Sequence, residues 1–142
     1  IGNGDIIENL KQKVIKEKLS SKVKFLGRLS PEELHKTTPL ADLGISLEED
    51  LGLNYRFALP NKIFDYIQAE VPILVSNLPE MKRIVLEYNI GEIVQNRNPE
   101  KLANQIEKMF EKDFSTDLKN SKEELTWKNE ESKLLTIFKN LI

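Results

Sequence analysis

Leu59-Pro60-Asn61-Lys62-Ile63-Phe64-Asp65-Tyr66-Ile67-Gln68-Ala69-Glu70-Val71-Pro72-Ile73-Leu74-Val75-Ser76 decides the fold of this chain. It reads as a loop, a helix, a tight turn and a buried strand. Asn61 has the chemistry of an N-cap, with a side-chain oxygen able to accept from a free amide of the first turn. Ile63, Phe64 and Ile67 recur at helical spacing and should face a core. Val71 to Val75 is a short apolar, β-branched run with a proline near its start, the pattern of a strand covered on both faces. Lys62 and Asp65 are three residues apart and share one helix face. A cation and a carboxylate thus sit together at a helix N-terminus, where backbone amides favour anions. That combination suits a phosphorylated ligand that also carries hydroxyls.

Working outward, strand and helix patterns alternate about five times. Ile1-Gly2-Asn3-Gly4 reads as the end of a strand and the loop after it, so the chain is expected to begin inside a fold. Ile7, Leu10 and Val14 mark a helix, with Asp5 placed to cap it or to favour its start. Val23 to Gly27 reads as a strand. Ser30-Pro31-Glu32-Glu33 combines a capping box with a proline at the first helical position. Asp42 to Leu47 is the next strand, followed by the acidic Glu48, Glu49 and Asp50 and a loop to Pro60. Pro79 opens a helix closed by Asn89. Ile90 to Val94 reads as an edge strand, and Asn98-Pro99 opens a helix with Leu102, Ile106, Met109 and Phe110 on one stripe. The charged segment from Asp113 suggests a flexible boundary near Asp113 to Asn120. Ser121 to Glu124 matches a second capping box, before an amphipathic helix bearing Leu134, Leu135, Phe138 and Leu141. This order predicts an α/β, Rossmann-like three-layer sandwich: a mainly parallel sheet with helices on both faces, plus C-terminal helices. The expected division is a Rossmann-like domain over 1–112 and a helical tail over 113–142. Ligands of such sheets bind at the carboxyl ends of the strands. The loops after Gly2, Gly27, Leu47 and Ser76 should open there.

Composition narrows the function. The 142 residues carry 21 Lys and Arg against 23 Asp and Glu, a net charge of −2. Such a balance gives no bulk attraction to nucleic acid or to an anionic membrane. There is no cysteine, which excludes disulfides and thiolate metal sites and fits a reducing, cytoplasmic setting. No apolar run approaches the roughly 18 residues a membrane span needs.

Five motifs stand in one order: Gly2-x-Gly4; Val23-Lys24-Phe25-Leu26-Gly27; Ala41-Asp42-Leu43-Gly44-Ile45; Lys62-x-x-Asp65-Tyr66-x-x-Ala69-x-Val71-Pro72-x-x-x-Ser76; and Asn98-Pro99-Glu100-Lys101-Leu102-Ala103 with the later Trp127. Together they resemble the C-terminal half of family 4, or group 1, glycosyltransferases, which pair two facing Rossmann-like domains. The resemblance implies the donor-binding half of a retaining enzyme that moves a hexose-type sugar from a nucleoside diphosphate sugar to a glycan or lipid-linked acceptor. It implies no cofactor besides that co-substrate, and no metal. The acceptor-binding domain and the first strand of the donor domain would lie outside this chain, so the fragment alone would not turn over. Peripheral membrane association of the whole enzyme is compatible with the family.

Carried over residue by residue, the ribose-binding glutamate of the family's Glu-x7-Glu motif falls on Asp65, one methylene shorter. The first glutamate falls on Phe57, which is not acidic; Glu49 and Asp50 are the nearby acids. Lys62 matches a lysine in a similar subset, suited to phosphate or sugar. Gly4 lies in a donor-approaching loop, and Gly27 and Arg28 in the loop that holds the base. Arg56 would face the cleft, and Asn61 would lie at the anion-favouring helix end. The family's usual glycine at position 70 is Glu70 here, which costs up to roughly 1–2 kcal/mol if the backbone is left-handed.

Simpler readings stand beside these. Asp65 and Lys62 could pair only with each other on a solvated face. The acidic run Glu48 to Asp50 reads as a solvated loop rather than a cation site. His35, the single histidine, lies on a short polar helix unsuited to catalysis, and Trp127 reads as a packing anchor. The rival functions are a receiver-like phosphoacceptor module and a partner-binding fragment that docks through its last helix.

Overall fold

A computed structural model describes residues 1–140, which form two compact units, Ile1–Thr37 and a second from Thr38 onward. The first unit holds α1 (Ile7–Lys16) and α2 (Pro31–Thr37). The Ser30 capping box forms as expected: the Glu33 amide donates to Ser30 Oγ at 3.2 Å and the Ser30 amide to Glu33 Oε2 at 2.8 Å. Asp5 does not cap α1; Ile6 occupies the N-cap position without a side-chain bond. Val23 to Gly27 does not form a strand. A ladder needs successive backbone bonds. This segment meets Ile1–Gly4 through one, from the Gly2 amide to the Gly27 carbonyl at 2.7 Å.

The second unit is built on three parallel strands in the order β1 (Gly44–Ser46), β2 (Ile73–Val75), β3 (Gly91–Ile93). Register pairs Gly44 with Ile73, and Ile73 with Gly91. Strand side chains alternate between faces, yet Ile73, Leu74 and Val75 are all fully buried. Both faces of β2 are therefore covered, as the sequence predicted. α4 (Asn61–Gln68) lies on the Gly44 and Ile73 face, where a Cβ on Gly44 would come within 2.5 Å of the Tyr66 ring. α4 contributes Ile63 and Ile67 to the core, and α5 (Pro79–Tyr88) contributes Met81, Ile84 and Val85. α6 (Pro99–Met109) covers the opposite face at β3, where Gln105 Nε2 donates to Glu92 Oε2 at 2.8 Å and to the Ile93 carbonyl at 2.9 Å. The same Gln105 accepts from the Gln95 amide, so its side chain covers backbone groups along this edge.

Local signals explain several boundaries. Asn89 ends α5 in the left-handed region at φ 49°. Asn98 Oδ1 caps α6 by accepting from the Glu100 and Lys101 amides. Glu70 leaves α4 at φ 57°, the strained conformation that glycine would relieve, and its carboxylate pairs with Lys122 at 2.6 Å. That hydrogen bond to Lys122 holds Glu70 below the usual carboxylate range.

Four expectations are corrected. Residues 53–56 of the expected loop form a helical turn, α3 (Leu53–Arg56). The charged segment forms α7 (Ser115–Glu124), with Leu118 only 1% exposed, because α7 packs on α4 and α5. Ser121 therefore lies inside a helix and donates to the Asp117 carbonyl at 2.6 Å instead of capping; Thr126 caps the following α8 (Trp127–Lys139). α8 buries none of its residues, and Trp127 is 70% exposed, so it is not a packing anchor. Leu141 lies outside the described residues.

Candidate functional site

The carboxyl ends of β1 and β2 and the loop after β3 meet in one polar network. Ser46, the last residue of β1, is fully buried and donates from Oγ to Glu48 Oε2 at 2.7 Å. Lys62, in the first turn of α4, reaches Glu48 Oε1 at 2.6 Å. Ser76, just past β2, donates from Oγ to the Glu48 carbonyl at 2.6 Å. Arg97 comes from the loop after β3. Its guanidinium donates to the Glu48 carbonyl at 2.8 Å, to Ser76 Oγ at 2.8 Å and to the Leu47 carbonyl at 3.3 Å. Glu48 is thus held at both its main chain and its side chain. Burial pushes its carboxyl up, but Lys62 and the Ser46 hydroxyl outweigh burial, and it lies below its ordinary value.

Lys62 does not pair with Asp65. Its partner is Glu48, fourteen positions earlier in the chain. Asp65 is half-buried on α4, and among the described residues its carboxylate has no hydrogen-bond or ion-pair partner. The acidic run is also not a uniformly solvated loop, because Glu48 is built into the network and Asp50 binds Arg56. Arg56 Nη2 lies 2.8 Å from Asp50 Oδ2, and Nε donates to both Asp50 oxygens. Asn61 is not the N-cap. Pro60 takes that position in extended conformation, and Asn61 is the first helical residue, exposed. Among the described residues no cluster of three His, Asp or Glu side chains could hold a metal.

Gly4, Gly27 and Arg28 belong to the first unit. Gly4 and Gly27 line a cavity of about 270 Å³ with Ile7, Leu10 and Phe25. Gly27 is left-handed at φ 67°, and Arg28 is exposed.

The family model for group 1 glycosyl transferases matches residues 1–127. The chain belongs to the group 1 glycosyltransferases. Set against curated proteins, it matches none. The family fixes glycosyl transfer as the general chemistry, with a nucleotide sugar and an acceptor as its substrates. In this glycosyltransferase the parallel sheet presents Glu48, Lys62, Ser76 and Arg97 where ligands of such folds bind. No described helix is long and apolar enough to cross a membrane.

Sequence reasoning passed over Ser46 and Arg97, and read Glu48 only as part of a solvated acidic loop. Ser76 appeared only as a motif position. The one available signal was position: each lies at or just beyond a strand's carboxyl end. Nothing local links Arg97 to Glu48, because that contact exists only once the strands have paired.

Proposed function

We propose that this chain is the donor-binding half of a retaining glycosyltransferase. It would take a hexose-type nucleoside diphosphate sugar and serve a glycan or lipid-linked acceptor. The observation that carries this reading is the Asp65 carboxylate, half-buried and without a partner among the described residues, three residues from Lys62 on α4. A carboxylate accepts only, so it suits the paired hydroxyls of a ribose. Lys62 spends one N–H on Glu48 and keeps two for phosphate oxygens. With the first amides of α4 it offsets the charge that grows on the diphosphate as the glycosidic bond breaks. The role of the chain is binding and electrostatic; no residue in it is assigned to bond making. Gly4, Gly27 and Arg28 remain candidates for the base-side loops, and Arg56, tied to Asp50, for the sugar side. We place the enzyme in the cytoplasm.

The test is equilibrium binding of UDP, GDP and ADP to the chain and to Asp65→Ala. One nucleotide should bind the wild type. The variant should lose about tenfold in affinity, the equivalent of one hydrogen bond to a charged group. Equal affinity of the two proteins would reject Asp65 as the ribose acceptor.

The exposed apolar residues of α8, including Trp127, Leu135, Ile137 and Phe138, favour a partner-binding role as a second reading. The family match gives the receiver-like alternative no support.

A further inference from the structure

We infer that Arg97 is a positioning residue for the donor diphosphate, acting through Glu48 on Lys62. This rests on the donor-site reading above and adds a residue that neither the motifs nor the family match assigns. Arg97 comes from the loop after β3, yet among the described residues its side-chain bonds fall at the ends of the other two strands. It donates to the carbonyls of Leu47 and Glu48 and to the Ser76 hydroxyl. The Ser76 hydroxyl itself donates to the Glu48 carbonyl, so two donors converge on that oxygen. The main chain of Glu48 is thereby fixed, and its carboxylate is aimed by Ser46 on one oxygen and Lys62 on the other.

The consequence falls on Lys62. A free lysine side chain samples many rotamers, and ordering it on binding weakens a ligand. Held by Glu48, its ammonium is already placed beside the first turn of α4 and remains about half exposed. A diphosphate then meets an ordered cation. Arg97 itself need not touch the ligand.

The experiment compares UDP, GDP and ADP with uridine, guanosine and adenosine on the chain, on Lys62→Ala, Arg97→Ala and Arg97→Lys, and on the double variant. The quantity read is the ratio of diphosphate to nucleoside affinity. Lys62→Ala should lower that ratio about tenfold by removing a charge-assisted bond, and Arg97→Ala about threefold by loosening it. Arg97→Lys should recover part of the loss. In the Lys62→Ala background, Arg97→Ala should cause no further change in the ratio. If Arg97→Ala weakens nucleoside and diphosphate equally, its role is structural and the inference fails. If Lys62→Ala lowers the ratio and Arg97→Ala leaves it unchanged, the inference fails while the donor-site reading stands. If no nucleotide binds the wild type, the donor-site reading fails first and the inference with it.

Discussion

Gly44→Ala tests how the sheet positions the site helix. An added Cβ would lie 2.5 Å from Cγ and Cδ2 of Tyr66 and 2.7 Å from Cδ1. Ordinary contact between carbon atoms is roughly 3.5–4 Å, so ring and strand must separate by about 1 Å. Tyr66 cannot yield alone, because its neighbours Ile63 and Ile67 are fully buried on the same helix. Overpacking of this kind costs about 1–3 kcal/mol. Replacing glycine by alanine in a strand returns about 0.5–1 kcal/mol of backbone entropy. The net expectation is a loss of about 1–2 kcal/mol, a fall in melting temperature of about 4–8 °C for a unit of this size. Urea denaturation followed by circular dichroism measures it. In a Tyr66→Ala background the same substitution should cost nothing or stabilise slightly, since the ring is gone. Wild-type stability for Gly44→Ala, or an undiminished cost in the Tyr66→Ala background, would refute the packing of α4 described here. The displaced helix carries Lys62 and Asp65, so nucleotide affinity should fall in Gly44→Ala as well.

Two further outcomes follow from the same contacts. Glu48→Gln removes the charge that pairs with Lys62 and should cost about 1 kcal/mol near neutral pH, the upper end for an ion pair that still touches water. The Glu48 carboxyl lies below its ordinary 4.5 when folded, so its contribution is fully present above pH 4.5 and is lost as pH falls through the folded value. The stability curves of wild type and Glu48→Gln should therefore converge in acid; a constant gap would contradict the pairing. Leu118→Ala should destabilise by about 2–4 kcal/mol, the range for a buried leucine, because α7 belongs to the packed unit; a change within 0.5 kcal/mol in urea denaturation would make α7 a loose tail.

Legibility in the sequence followed the range of each interaction. The Ser30 box, the Asn89 turn and the Asn98 cap were readable because each depends on residues within four positions. The β2 strand was readable because burial on both faces leaves a continuous apolar run. Val23 to Gly27 has the composition of a strand, but strand formation needs a partner along its length, and composition does not supply one. α7 was invisible because its burial rests on Phe114 and Leu118 docking among charged neighbours. At the site, Lys62 and Asp65 were found as a face of α4, but their pairing was not. Lys62 turned to Glu48 and left Asp65 without a partner among the described residues. Glu48 and Arg97 sit 49 positions apart, and their contact depends on all three strands being in register.

The most direct test of the donor-site account is a titration of the isotopically labelled chain with UDP, GDP and ADP at up to millimolar concentration, followed by NMR. The account predicts saturable shifts of the Lys62 and Asp65 amides with one of the three nucleotides, and their loss in Asp65→Ala. Saturable binding that leaves both amides unmoved, or no shift anywhere with any of the three, would contradict it.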